Sequence, residues 1–121
     1  MAKKILLVED DKNTIAVVKM ALEAQYYEVA VAEDGVAAME RAFDFEPDLI
    51  LLDLLVPKLD GWMVLEGLKK ADKTYDIPVI VMSAKAGEED IDKAERLGAE
   101  EYLVKPFTPE SLLRMVAGFL P

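Results

Sequence analysis

The chain has 121 residues, 53% of them hydrophobic, which suits one domain with a single core, and nothing suggests two. It contains neither cysteine nor histidine, which excludes disulfides, thiolate or imidazole metal sites and a histidine-based catalytic triad. The formal net charge of -10 argues against nucleic acid as a direct partner, and no apolar run approaches the length of a membrane span.

Met1 to Lys4 lead directly into a run of apolar residues, so no export signal is read and a cytoplasmic location is expected. The first strand is Lys4 to Val8. Asp11 to Gln25 places Ile15, Val18 and Leu22 at helical spacing, with Asp11 and Asn13 as candidate caps. A short strand over Tyr27 to Val31 follows. The helix opening at Gly35 carries Val36, Met39, Ala42 and Phe43 as its inward stripe and stops before Pro47.

Asp48 to Leu52 reads as a third, fully buried strand, and Gly61 to Lys70 as a third helix with Met63 or Val64, Leu65 and Leu68 inward. Ile77 to Met82 is the fourth strand, and a helix over Glu88 to Leu97 ends at Gly98. Glu101 to Val104 is the fifth strand. Thr108-Pro109-Glu110-Ser111 opens the last helix with a cap and a first-turn proline. Near-continuous apolar strands alternating with helices predict a parallel sheet covered on both faces, doubly wound by right-handed crossovers. One domain over residues 1–121 is expected.

In such sheets the functional crevice lies beyond the carboxyl ends of the strands. There the chain delivers Glu9, Asp10 and Asp11 after strand one, Asp53 after strand three, Ser83 after strand four and Lys105 after strand five. Taken alone, Asp10 and Asp11 would do no more than cap the first helix. Adding Asp53 changes the reading, because gathered carboxylates repel one another unless a cation neutralises them. Mg²⁺, a hard ion that takes oxygen ligands, suits that set. A carboxylate beside such an ion can attack phosphorus, and Lys105 supplies a second positive charge for the incoming group. Ser83 can donate to a phosphoryl oxygen, and Tyr102 is the side chain placed to follow the loop from Ser83 to Gly87.

The segments KILLVEDD, DLILLDLLVPKLDGW, PVIVMSAKA and GAEEYLVKPF, in that order and spacing, resemble the receiver domain of two-component response regulators, close in size to the single-domain chemotaxis type. The resemblance covers essentially the whole chain. It implies a flavodoxin-like α/β fold with strand order 2-1-3-4-5. It implies that Asp53 accepts a phosphoryl group from a histidine kinase, a phosphotransfer protein or a small phosphodonor. Asp10 and Asp53 would hold Mg²⁺ directly with the backbone carbonyl of Leu55, and Glu9 mainly through water. Ser83 and Tyr102 would form the switch, and Lys105 would be the site lysine. Pro57, Asp60 and Gly61 match the loop that shapes the site.

The same resemblance implies a phosphorylation-activated signalling switch that moves the 83–87 loop and the face formed by residues 88–120. Self-phosphorylation and self-dephosphorylation would depend on Mg²⁺, without turnover as an enzyme. The implied partners are the kinase and a downstream effector protein, with the domain a monomer or a phosphorylation-dependent dimer. Leu55 and Lys85 flank the path of the hydrolytic water in the family, and an apolar Leu55 is expected to slow loss of phosphate. The alternative is a degenerate receiver that binds partners without phosphorylation. A metal-dependent phosphatase with an aspartate nucleophile would want a second aspartate at Leu55, and a flavin module would not place Glu9-Asp10-Asp11 where its phosphate loop belongs.

Overall fold

Strand and helix alternate without interruption in the computed structural model, which describes residues 2–121; Met1, part of the expected domain, lies outside them. The elements are β1 (Lys4–Val8), α1 (Lys12–Glu23), β2 (Glu28–Ala32), α2 (Gly35–Asp44), β3 (Leu49–Asp53), α3 (Gly61–Lys70), β4 (Val79–Ser83), α4 (Glu88–Arg96), β5 (Glu101–Val104) and α5 (Pro109–Phe119). All strand pairs are parallel and the order is β2-β1-β3-β4-β5, as expected. The connection direction reverses between β1 and β3, which puts the crevice beyond Val8 and Asp53.

The two-residue period of the strands divides the core. Leu6, Val8, Ile50, Leu52, Val79 and Val81 face α2, α3 and α4. Ile5, Leu7, Leu49, Leu51, Ile80 and Met82 face Val18 and Leu22 of α1 and Leu112 and Val116 of α5. Every one of these strand residues is fully buried. At about 1.5–3 kcal/mol for each large aliphatic side chain, they supply the main driving force for the sheet. Among the described residues no helix is long and apolar enough to cross a membrane.

The structure corrects several local expectations. The inward face of α2 is Gly35, Ala38 and Ala42, whereas Val36 is exposed. Small residues let α2 lie close; of the expected stripe Ala42 is buried and Met39 packs against the core, and the error lies in Val36. Val64, not Met63, turns inward on α3. Asp11 caps α1 through Thr14, while Asn13 lies inside the helix. That helix ends at Glu23, short of Gln25, and Tyr26 at φ 67 then takes a left-handed turn. β2 starts and ends one residue later than expected, and β3 and β4 run on to Asp53 and Ser83. These two polar residues are thus the last rungs of the sheet.

Candidate phosphoacceptor and metal site

Three buried polar residues stand at the carboxyl edge of the sheet: Glu9, Asp53 and Ser83, each no more than 5% exposed. Glu9 follows β1, and its N–H donates to the Ala32 carbonyl at 3.0 Å, continuing the ladder one step past the strand. Asp53 is held by register with Met82. Beside them Asp10 is exposed to solvent. One carboxylate oxygen from each of Glu9, Asp10 and Asp53 lies within 4.8 Å of the others.

Lys105, on the loop after β5, enters this cluster from the far side of β4. Its backbone N–H donates to the Ser83 carbonyl at 2.8 Å, and the Lys105–Pro106 peptide is cis. The ammonium donates to Glu9 Oε1 at 2.7 Å and to Asp53 Oδ2 at 3.1 Å. The remaining oxygens are also engaged. Leu55 N–H donates to Asp53 Oδ1 at 2.9 Å, and Asp11 N–H donates to Glu9 Oε2 at 3.2 Å. Burial pushes Glu9 above the usual glutamate range and nearby Asp53 adds to this, while the bond from Lys105 opposes it. For Lys105 burial acts downward, but the bonds and charges of Glu9 and Asp53 outweigh it and hold the ammonium above its ordinary value.

The donor set fits Mg²⁺. Glu9, Asp10 and Asp53 offer oxygen only, Asp10 reaches solvent, and one lysine cannot neutralise three carboxylates.

Ser83 Oγ accepts from the N–H of Lys85 at 3.1 Å, which folds the start of the β4–α4 loop over the hydroxyl. The Tyr102 hydroxyl donates to the Lys85 carbonyl at 2.8 Å. Serine and tyrosine therefore hold the same residue of the loop from opposite groups. The α4 helix that follows is fastened lightly, with Ala94 its one buried residue. Leu55 is 61% exposed at the mouth of the site.

Glu9, Asp10, Asp53, Ser83 and Lys105 thus stand on one rim, and Tyr102 reaches the adjoining loop from within β5. Two relationships were not foreseen: Glu9 as the shorter-range partner of Lys105, and a close approach of Gly35 to the loop after Asp53. For the first, the strand ends put both residues on that rim but do not rank Glu9 above Asp53 as the partner of the lysine. The second had no local signal beyond a glycine opening a helix.

The model of the response regulator receiver domain family matches residues 5–117. The DNA-binding dual master transcriptional regulator RpaA of Synechocystis sp. is 38% identical over 117 residues, which cover 97% of this chain and 48% of RpaA. The chain spans about half the length of the curated relatives it matches. The chemotaxis response regulator CheY4 of Vibrio cholerae superposes with a TM-score of 0.92 at 27% identity, over 98% of this chain and 99% of that one. The receiver domain of the sensor histidine kinase PA1611 from Pseudomonas aeruginosa, solved with a magnesium ion coordinated in its active-site cleft, superposes with a TM-score of 0.90 at 29% identity, covering 99% and 98%.

Proposed function

Because the chain belongs to the response regulator receiver domain family, we propose that residues 1–121 act as one switch whose phosphoacceptor is Asp53. The observation that carries this reading is the Lys105 ammonium, set between Glu9 and Asp53 at the carboxyl ends of β1 and β3. An aspartate at the floor of an acidic cluster, already touched by a lysine, is poised to receive an anionic group.

The chemistry is a phosphoryl transfer. A carboxylate oxygen of Asp53 attacks phosphorus in line with the donor bond, the P–N bond to an imidazole or the P–O bond to a small acyl group breaks, and the leaving group departs with the electron pair. The product on Asp53 is a mixed anhydride. Asp10, Asp53 and the Leu55 carbonyl would hold Mg²⁺, with Glu9 acting mainly through water; when bound, the ion supplies positive charge for the carboxylates and the phosphoryl oxygens. Lys105 exchanges part of its contact with Asp53 for a phosphoryl oxygen. The buried Leu52, Leu54 and Val56 keep the interior side of the site dry, which strengthens these charge interactions.

The phosphoryl group then competes for the Ser83 hydroxyl. Donation by Ser83 draws the 83–87 loop inward, and Tyr102 follows through its bond to Lys85. The lightly fastened α4 passes the shift to the output face over residues 88–120. The partners are a histidine kinase or phosphotransfer protein upstream and an effector protein downstream, in the cytoplasm, with the domain a monomer or a dimer formed on phosphorylation. The presence of the whole side-chain set on one rim weighs against an interaction module indifferent to phosphate. Labelling with acetyl phosphate and Mg²⁺ tests the chemistry: the label is expected to be released by hydroxylamine, as an acyl phosphate is. A hydroxylamine-stable label would mark a hydroxyl ester and contradict Asp53 as acceptor.

A further inference from the structure

The loop after β3, residues 54–60, carries Leu55, whose N–H is bound to Asp53, and its path is set from outside by the first residue of α2. Gly35 N–H donates to the Pro57 carbonyl at 3.0 Å, and the same carbonyl accepts from Leu59 N–H at 2.9 Å. That second bond closes a three-residue turn centred on Lys58, which sits at φ 72, a strained conformation for a lysine. A methyl group on Gly35 would lie 2.2 Å from the Leu59 oxygen and 2.4 Å from its Cβ. Gly35 is outside the left-handed region, so glycine is not there for its backbone angles. It is a poor helix former at the first position of a helix, and the close approach is the reason left for it.

Other ties between α2 and the loop are weaker. Lys58 Nζ lies 3.4 Å from Asp34 Oδ2, but the lysine side chain is 68% exposed and such pairs hold little. Asp34 also caps α2 by accepting from Ala37 N–H at 2.8 Å. At its other end the loop is closed by Gly61, whose N–H donates to the Leu54 carbonyl at 3.2 Å.

We propose that the start of α2 is the mould for the phosphoacceptor loop, and that Gly35 is a positioning residue for phosphorylation of Asp53. The inference rests on Asp53 being the acceptor. A side chain at Gly35 must push the Leu59 backbone away by about an ångström to reach ordinary contact. That displacement travels along a short loop to Leu55, which touches the reacting carboxylate. Misplacement on this scale slows reactions steeply.

The test compares the full chain with Gly35→Ala, Asp34→Ala and Gly118→Ala by acetyl phosphate labelling rate with Mg²⁺, and by amide hydrogen exchange without metal. Gly118 has open space where a methyl group would sit, so Gly118→Ala is expected to match wild type. Gly35→Ala is expected to slow labelling about tenfold or more, and to speed exchange at the Leu55 and Gly61 amides while β1 and β3 stay protected. Labelling at the wild-type rate, or undisturbed Leu55 and Gly61 amides, would overturn the proposal. Should Gly35→Ala fail to fold, Asp34→Ala decides: it loosens the start of α2 without adding bulk, a roughly twofold to threefold fall is expected, and no change overturns the mould. A wild type that takes no label would instead overturn the acceptor reading, whatever the exchange at Leu55 shows.

Discussion

The ammonium of Lys105 lies closer to Glu9 than to Asp53, 2.7 Å against 3.1 Å. Glu9 is the more deeply buried of the two carboxylates, and its pKa stands above the usual range chiefly because of that burial. The fold therefore disfavours the charged form of Glu9 relative to a free glutamate, while a divalent cation needs that form. Without metal, Glu9→Gln is expected to raise the melting temperature by a few degrees at neutral pH, since the amide still accepts from Lys105 and no longer faces Asp53 as a like charge. The same variant is expected to bind Mg²⁺ more weakly. Melting curves with and without the ion check both signs at once.

The pH dependence of stability follows from three carboxyls that shift in opposite directions. Glu9 is raised above its ordinary 4.5, so the stability tied to it is full below 4.5 and lost as pH rises through its folded value. Asp34, lowered from 3.8 mainly by the Ala37 N–H, and Asp11, lowered from 3.8 mainly by the Thr14 hydroxyl, contribute stability present above 3.8 and lost as pH falls through their folded values. Denaturant midpoints measured against pH are expected to fall on the acid side in wild type and to fall less in Asp34→Asn. In Glu9→Gln the decline above 4.5 is expected to flatten. Mg²⁺ affinity is expected to weaken on acidification starting above the ordinary glutamate range, as protons compete for Glu9.

Stability and phosphorylation separate at α5. Thr108 accepts from Ser111 N–H at 3.1 Å, and Ser111 Oγ accepts from Thr108 N–H at 3.2 Å, a reciprocal cap. Thr108→Ala is expected to cost about 1 kcal/mol in chemical denaturation. Its labelling rate by acetyl phosphate is expected to equal that of wild type, because the cap touches none of the site carboxylates.

Leu55 stands exposed at the mouth of the site with its N–H on Asp53. An apolar side chain there offers a hydrolytic water nothing to bind, whereas asparagine can hold and orient one. Leu55→Asn is expected to lose its phosphoryl group several-fold faster than wild type after the donor is removed. An equal or slower loss would show that Leu55 does not restrain hydrolysis.

Much of this architecture was legible because it follows from local periodicity. The continuous apolar strands announced a sheet buried on both faces, and the polar residues just after them announced the rim where Glu9, Asp10, Asp53, Ser83 and Lys105 meet. The strand order came from the family resemblance, since periodicity does not fix it. What could not be read depends on distance across the fold. On α2 the pattern finds Ala42 but favours Val36 for its bulk, while Gly35 and Ala38 complete the buried face, and their small size only matters once α3 and the sheet are close by. Glu9 and Lys105 are 96 residues apart, and nothing in either neighbourhood ranks Glu9 above Asp53 as a partner. The contact of Gly35 with Leu59 exists only when α2 and the loop after β3 are both in place.

Asp53 as acceptor is tested most directly by intact mass after incubation with acetyl phosphate and Mg²⁺. One phosphoryl group is expected on the wild type, with none on Asp53→Asn and none when the ion is chelated. A wild type that gains no mass, or an Asp53→Asn variant that gains as much, would contradict it.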